Sequence, residues 1–152
     1  MRATLVAGIV DLTGAIVVYV VLLKAVDILH LLQSIAGGTI GNRVYDGGVP
    51  TALAGVVLHF FIAFCWSFGY QFIYPSLNRL IKNDVAKGVM YGCIVWIIMN
   101  LIVVPNSGLH RAFVFEPRKF MMSIGLIICC IGIPIALITA RRMKYLLIPQ
   151  TK

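Results

Sequence analysis

Residues 51–74 read TALAGVVLHFFIAFCWSFGYQFIY, 24 positions without one Asp, Glu, Lys or Arg. About 20 such residues make an α-helix long enough to cross the hydrocarbon core of a bilayer. At that depth each backbone N–H and C=O must be satisfied inside the helix. Apolar runs of similar length fill 4–23, 85–105 and 120–140, with Asp11 and Lys87 the only charged residues in them. The chain is therefore expected to be all-α, a bundle of four transmembrane helices forming one integral membrane domain over 1–152. Composition points the same way: 61% of residues are hydrophobic and 12% charged, against about 25% charged in an average soluble domain.

The formal net charge of +8 suggests nucleic acid only until the basic residues are placed. They flank the apolar runs, where they set topology and meet lipid headgroups, so the expected partner is the bilayer and not nucleic acid. With four spans, Arg2, Arg79, Lys82, Lys87, Arg141, Arg142, Lys144 and Lys152 share one side. Lys24, Arg43, Arg111, Arg118 and Lys119 share the other. Eight against five favours both termini in the cytoplasm. The first run is too long for a signal-peptide core and is expected to stay in the membrane. Its Asp11 costs about 2.5–3.5 kcal/mol near a helix centre, and each Leu, Ile or Val returns about 0.3–0.6. Twelve of these in 4–23 leave insertion favourable.

Between the first two spans, residues 25–36 place Asp27, His30, Gln33 and Ser34 on one helical face and Ile28, Leu29, Leu32 and Ile35 on the other. An amphipathic helix is expected here, lying in the outer interface or capping the bundle and ending at Gly37-Gly38. A glycine-rich loop, GGTIGNRVYDGGVP, follows; its spacing matches neither a P-loop nor a dinucleotide fingerprint. Pro75 is expected to end the second span, Pro105-Asn106 the third, and Pro134 to kink the fourth. Tyr19 and Tyr45 fall toward the outer interface, and Tyr70, Tyr74, Tyr91 and Tyr145 toward the inner one.

Small residues recur as helical stripes: Ala3, Ala7, Asp11 and Ala15 in the first span, Gly88 and Gly92 in the third, Gly125, Cys129, Gly132 and Ala136 in the fourth. In lipid such stripes let helices approach closely, within one chain or between copies in a homo-oligomer. Cys65, Cys93, Cys129 and Cys130 fall at mid-depth without a CxxC pair or zinc spacing, as small buried hydrophobes. Trp66 and Trp96 lie too deep for an aromatic belt and read as bundle packing.

Polar side chains at membrane depth are the functional candidates. At ~1.5 Å per residue, His59 lies about 12 Å from the outer side and Asn100 about 8 Å, so the two are expected to be partners. Ser123 joins them, with His30 and His110 as a cap. Asp11 lies about 10 Å from the inner side, nearer Ser67, Gly69 and Tyr70, and is expected not to touch His59. The candidate ligand-binding or proton-relay residues are therefore His59, Asn100, Asp11, Gln33 and Ser123. His59 would titrate, Asn100 would orient it, and Asp11 would be an inner relay. The same groups also read as hydrogen-bonded glue between helices. No HExxH, GxSxG or paired-carboxylate pattern points to an enzyme. No metal or other cofactor is expected, since haem needs opposed imidazoles at depth and His30 and His110 are loop residues.

Four stretches in order, ILHLLQSIAGGTIG (28–41), GGVPTALAGVVLHFFIAFCWSFGYQ (47–71), GVMYGCIVWIIMNLIVVPNSG (88–108) and IGIPIALITARR (131–142), resemble a group of small four-span bacterial inner-membrane proteins. The resemblance covers most of the chain outside loop 106–119. It implies the fold and an inner-membrane location, and puts Gln33, Gly37, Gly48, Thr51, Gly55, His59, Asn100, Pro105 and Pro134 on the recurring positions. It implies no activity. The leading expectation is a membrane protein that binds or passes a small solute, lipid or proton at an outer cleft. An accessory subunit of a larger membrane complex is the second, and an intramembrane enzyme the third.

Overall fold

The computed structural model describes residues 2–110 and 115–147, with side chains over 5–110 and 115–143. Arg111 and Lys152, counted in the charge comparison, lie outside the described residues, as do the side chains of Arg2, Ala3, Lys144 and Tyr145. Helix α1 runs Arg2–Ala15 and continues as wider π-helical turns over Ile16–Leu22; α2 is Ile28–Ile40 and α3 is Gly48–Leu80. Helix α4 runs Asp84–Ile98, widens to π over Met99–Val103 and closes at Val104–Asn106. Helix α5 runs Pro117–Ile127, widens over Ile128–Gly132 and resumes at Ile133–Leu147. No strand occurs among the described residues. Four stretches, Leu5–Leu22, Asn42–Leu80, Asp84–Asn106 and Pro117–Met143, are long and apolar enough to span a membrane.

Two of the π-helical segments have a cause in the sequence. Each ends two residues before a proline, Val103 before Pro105 and Gly132 before Pro134. A proline supplies no N–H and its ring crowds the carbonyl one turn back, so the preceding turn widens. The third proline behaves differently. Helix α3 runs through Pro75 to Leu80 instead of ending there. Beyond the lost hydrogen bond, Tyr74 and Leu77 stay buried in the core, and Asn78 accepts a 2.7 Å hydrogen bond from Lys87. Tertiary contacts hold the last turns.

Helix α2 starts where Asp27 accepts from the His30 amide at 2.7 Å, an N-cap. It passes through Gly37-Gly38 and ends at Gly41, whose φ of 80° suits glycine. Gly37 lies inside the helix because Leu109 packs onto its bare face. The expected faces hold only in part: Asp27 and His30 are exposed, as a polar face requires. Gln33 is 1% exposed and donates to the Gly48 carbonyl and Thr51 Oγ1, both at 3.1 Å, while Ile28 and Leu29 face outward. The helix lies along α3, so close that a methyl on Gly55 would overlap the Leu32 carbonyl oxygen.

Helix α1 packs between α3 and α5, and α4 packs on α5. The α4–α5 contact is backbone on backbone: Gly88 faces Ile133, Gly92 faces Ile128, and Gly132 faces both glycines. Tyr70, Tyr74 and Tyr91 sit in the buried core with Val95, Ile131 and Ile135. Aromatic rings fill the space that the small residues of α1 and α5 leave between the helices. Cys65 and Cys129 are exposed, against the expectation of burial, and Cys130 turns inward toward Gly14.

Candidate functional site

Asp11, His59, Asn100 and Ser123, four of the five candidates, line one partly enclosed cavity of about 250 Å³ where α1, α3, α4 and α5 meet. Gln33 does not reach it; its hydrogen bonds lock α2 to the start of α3. His30 is also elsewhere, paired with Asp27 at 2.9 Å and stacked on Tyr45 at the surface. His110 is exposed. Neither histidine caps the cluster.

The pairing within the cavity differs from the expected one. His59 Nε2 lies 2.9 Å from the Gly8 carbonyl oxygen, to which it donates, and 3.9 Å from Asp11 Oδ2. Asn100 turns back on its own helix and donates to the Trp96 carbonyl at 3.0 Å. Helix α3 begins at Gly48 and not at 51, which carries His59 about 16 Å along it. That brings His59 level with Asp11 on the antiparallel α1. Ser123 accepts from Trp96 Nε1 at 2.9 Å, which ties α4 to α5 at the cavity wall.

Most of the remaining wall is apolar, including Ile35, Ile62, Met99, Leu126, Ile127 and Ile131. Tyr19 and Trp66 add aromatic surface, so Trp66 belongs to the cavity as well as to packing. Asp11 is the only carboxylate on it, and no Lys or Arg faces it among the described residues. Its Oδ1 is buried without a hydrogen-bond partner. All three π-helical segments contribute a wall residue: Tyr19, Asn100 and Ile131. Such widened turns recur at functional sites because they re-aim side chains. No group of three or more His, Cys, Asp or Glu is placed to hold a metal among the described residues.

A second polar group lies where α3 ends and α4 begins. Lys87, counted from the sequence as a flanking charge, is 1% exposed. Its Nζ lies 2.6 Å from Asp84, 2.7 Å from Asn78 and 5.3 Å from the Tyr74 ring centre. The readable signal was Lys87 and Tyr91 at i and i+4, on a helix face that also carries Gly88 and Gly92. No family model, curated protein or solved structure matches this chain.

Proposed function

We propose that this is a multi-pass membrane protein, in keeping with the resemblance to small bacterial inner-membrane proteins, with both termini on the cytoplasmic side. Its cavity binds a small organic cation, with Asp11 as the counter-charge and Tyr19 and Trp66 as aromatic walls. The observation that carries this reading is a buried carboxylate with one unpartnered oxygen in a mostly apolar cavity. Such a group is costly unless a positive charge or hydrogen-bond donor meets it. His59 supplies one neighbour at 3.9 Å but donates to Gly8. Aromatic faces favour a quaternary or protonated amine.

Calorimetric titration of the detergent-solubilised protein with benzyltrimethylammonium tests this, with neopentylbenzene as the neutral isostere. The cation is expected to bind, the isostere to bind far more weakly, and Asp11→Asn to weaken the cation by about tenfold or more. Absence of cation binding to the unmodified protein, or equal binding by Asp11→Asn, would leave the polar residues as glue between helices.

A further inference from the structure

We propose that the cavity selects a primary ammonium, a cation with several N–H groups, over a quaternary one, and that Asn100 sets this preference. The inference rests on the cation-binding reading and names the chemical class that the site takes.

The polar atoms of the wall fall into two groups. Those already committed hold the bundle together. His59 donates from Nε2 to the Gly8 carbonyl at 2.9 Å. Ser123 donates to the Phe120 carbonyl at 3.1 Å and accepts from Trp96 Nε1 at 2.9 Å. Asn100 donates to the Trp96 carbonyl at 3.0 Å. A carbonyl bonds only the nitrogen end of an amide, so this contact fixes which end of Asn100 is left over. Its Oδ1, an acceptor, stays uncommitted on the cavity wall among the described residues. Asp11 accepts no hydrogen bond on either oxygen. Its Oδ1 is buried without a partner, and its Oδ2 lies 3.9 Å from His59 Nε2, beyond hydrogen-bond reach. In the uncharged His59 ring, Nδ1 is a further acceptor. The uncommitted donors are the Tyr19 hydroxyl and the Trp66 indole N–H, and neither bonds Asp11.

The wall thus lacks donors where it holds its charge. A quaternary ammonium brings a counter-charge and apolar methyls but no N–H, so Asp11 and Asn100 stay unsatisfied beside it. A primary ammonium brings the same charge with three N–H groups. One donates to Asp11 as a charge-assisted hydrogen bond, and a second donates to Asn100 Oδ1. The cavity, about 250 Å³, places both acceptors within the span of one small ligand. Tyr19 and Trp66 remain as faces for the rest of the molecule. Burial alone ranks the cations the other way, since each methyl on nitrogen adds apolar area to cover. The order of affinities therefore separates hydrogen bonding from greasiness as the source of selectivity.

Calorimetric titration with benzylammonium, benzyldimethylammonium and benzyltrimethylammonium, all charged near neutral pH, tests this in non-ionic detergent. The ring is constant, and the N–H groups fall from three to one to none. Benzylammonium is expected to bind about tenfold more tightly than benzyltrimethylammonium, with the dimethyl cation between them. Asn100→Leu, which keeps the bulk and removes the acceptor, is expected to shrink that margin to about twofold. Asn100→Ala, which empties the position instead of filling it, is the second variant and should shrink the margin as well. A residue that only holds the helix would move all three affinities alike. Quaternary binding as tight as primary would overturn the inference and leave the cation reading standing. A margin that survives both Asn100 variants in full would overturn the role of Asn100. Binding by none of the three would sink the cation reading, and this inference with it.

Discussion

Gly132 and Gly88 meet so closely that a methyl on the first would overlap the carbonyl oxygen of the second. Neighbouring Gly92 and Ile128 are in the same contact, so the two helices touch backbone to backbone along a full turn. Gly132→Ala is therefore expected to force α4 and α5 apart and cost about 1–3 kcal/mol. A thermal melt in detergent, with Gly125→Ala as the control, checks it. Gly125 has open space at the same position, and its substitution should leave the midpoint unchanged or slightly higher.

Asp11→Leu should raise the melting midpoint while abolishing cation binding. The buried Oδ1 lacks a partner, and removing an unsatisfied carboxylate from a mostly apolar wall is expected to gain about 1–3 kcal/mol. His59 keeps its 2.9 Å bond to the Gly8 carbonyl in that variant. Parallel melts and titrations separate this outcome from the glue reading, which predicts a lower midpoint.

Two ion pairs of nearly equal length should differ sharply in their contribution. Lys87–Asp84 spans 2.6 Å with the lysine buried, and Lys119–Glu116 spans 2.7 Å with both partners largely exposed. Lys87→Ala leaves Asp84 and Asn78 without that donor and is expected to cost about 2–4 kcal/mol, reduced from a fully buried pair because Asp84 touches solvent. Glu116→Ala should change stability by less than about 0.5 kcal/mol. Chemical denaturation of both variants decides the contrast.

The start of α2 should depend on acid. The His30 amide, and then the His30 ring, donate to Asp27 and hold its carboxyl below the ordinary carboxylate range. A depressed folded-state value means the cap stabilises α2 above the unfolded-state pKa and is lost as pH falls through the folded one. The NMR amide shift of His30 is expected to move below about pH 4. In Asp27→Asn, which still caps but does not titrate, the shift should stay flat.

Much of this architecture was legible in residue order. Length and apolarity gave four long helices, and depth counting brought His59, Asn100 and Ser123 within reach of one cavity but left Asp11 outside it. Three things were hidden, each for a physical reason. Gln33 looked solvent-facing because the amphipathic pattern assumes a polar surrounding, whereas α2 turns its one long amide toward the Gly48 carbonyl and Thr51. Lys87 looked like a flanking charge because its partners, Asn78 and Asp84, come from either side of a turn. His59 and Asp11 looked too far apart because the true start of α3 lies three residues earlier than the apolar run.

The widened turns also determine where the chain tolerates a change of length. A π turn holds one residue more than an α turn. Deleting a residue within Ile128–Gly132 lets the segment tighten to α while both halves of α5 keep their facing. The same deletion between Ala63 and Ser67, in regular helix, would rotate Tyr70, Tyr74 and Leu77 by about 100° off the buried stripe. Deletions are thus absorbed in the widened turns around the cavity wall and rejected along the buried face of α3.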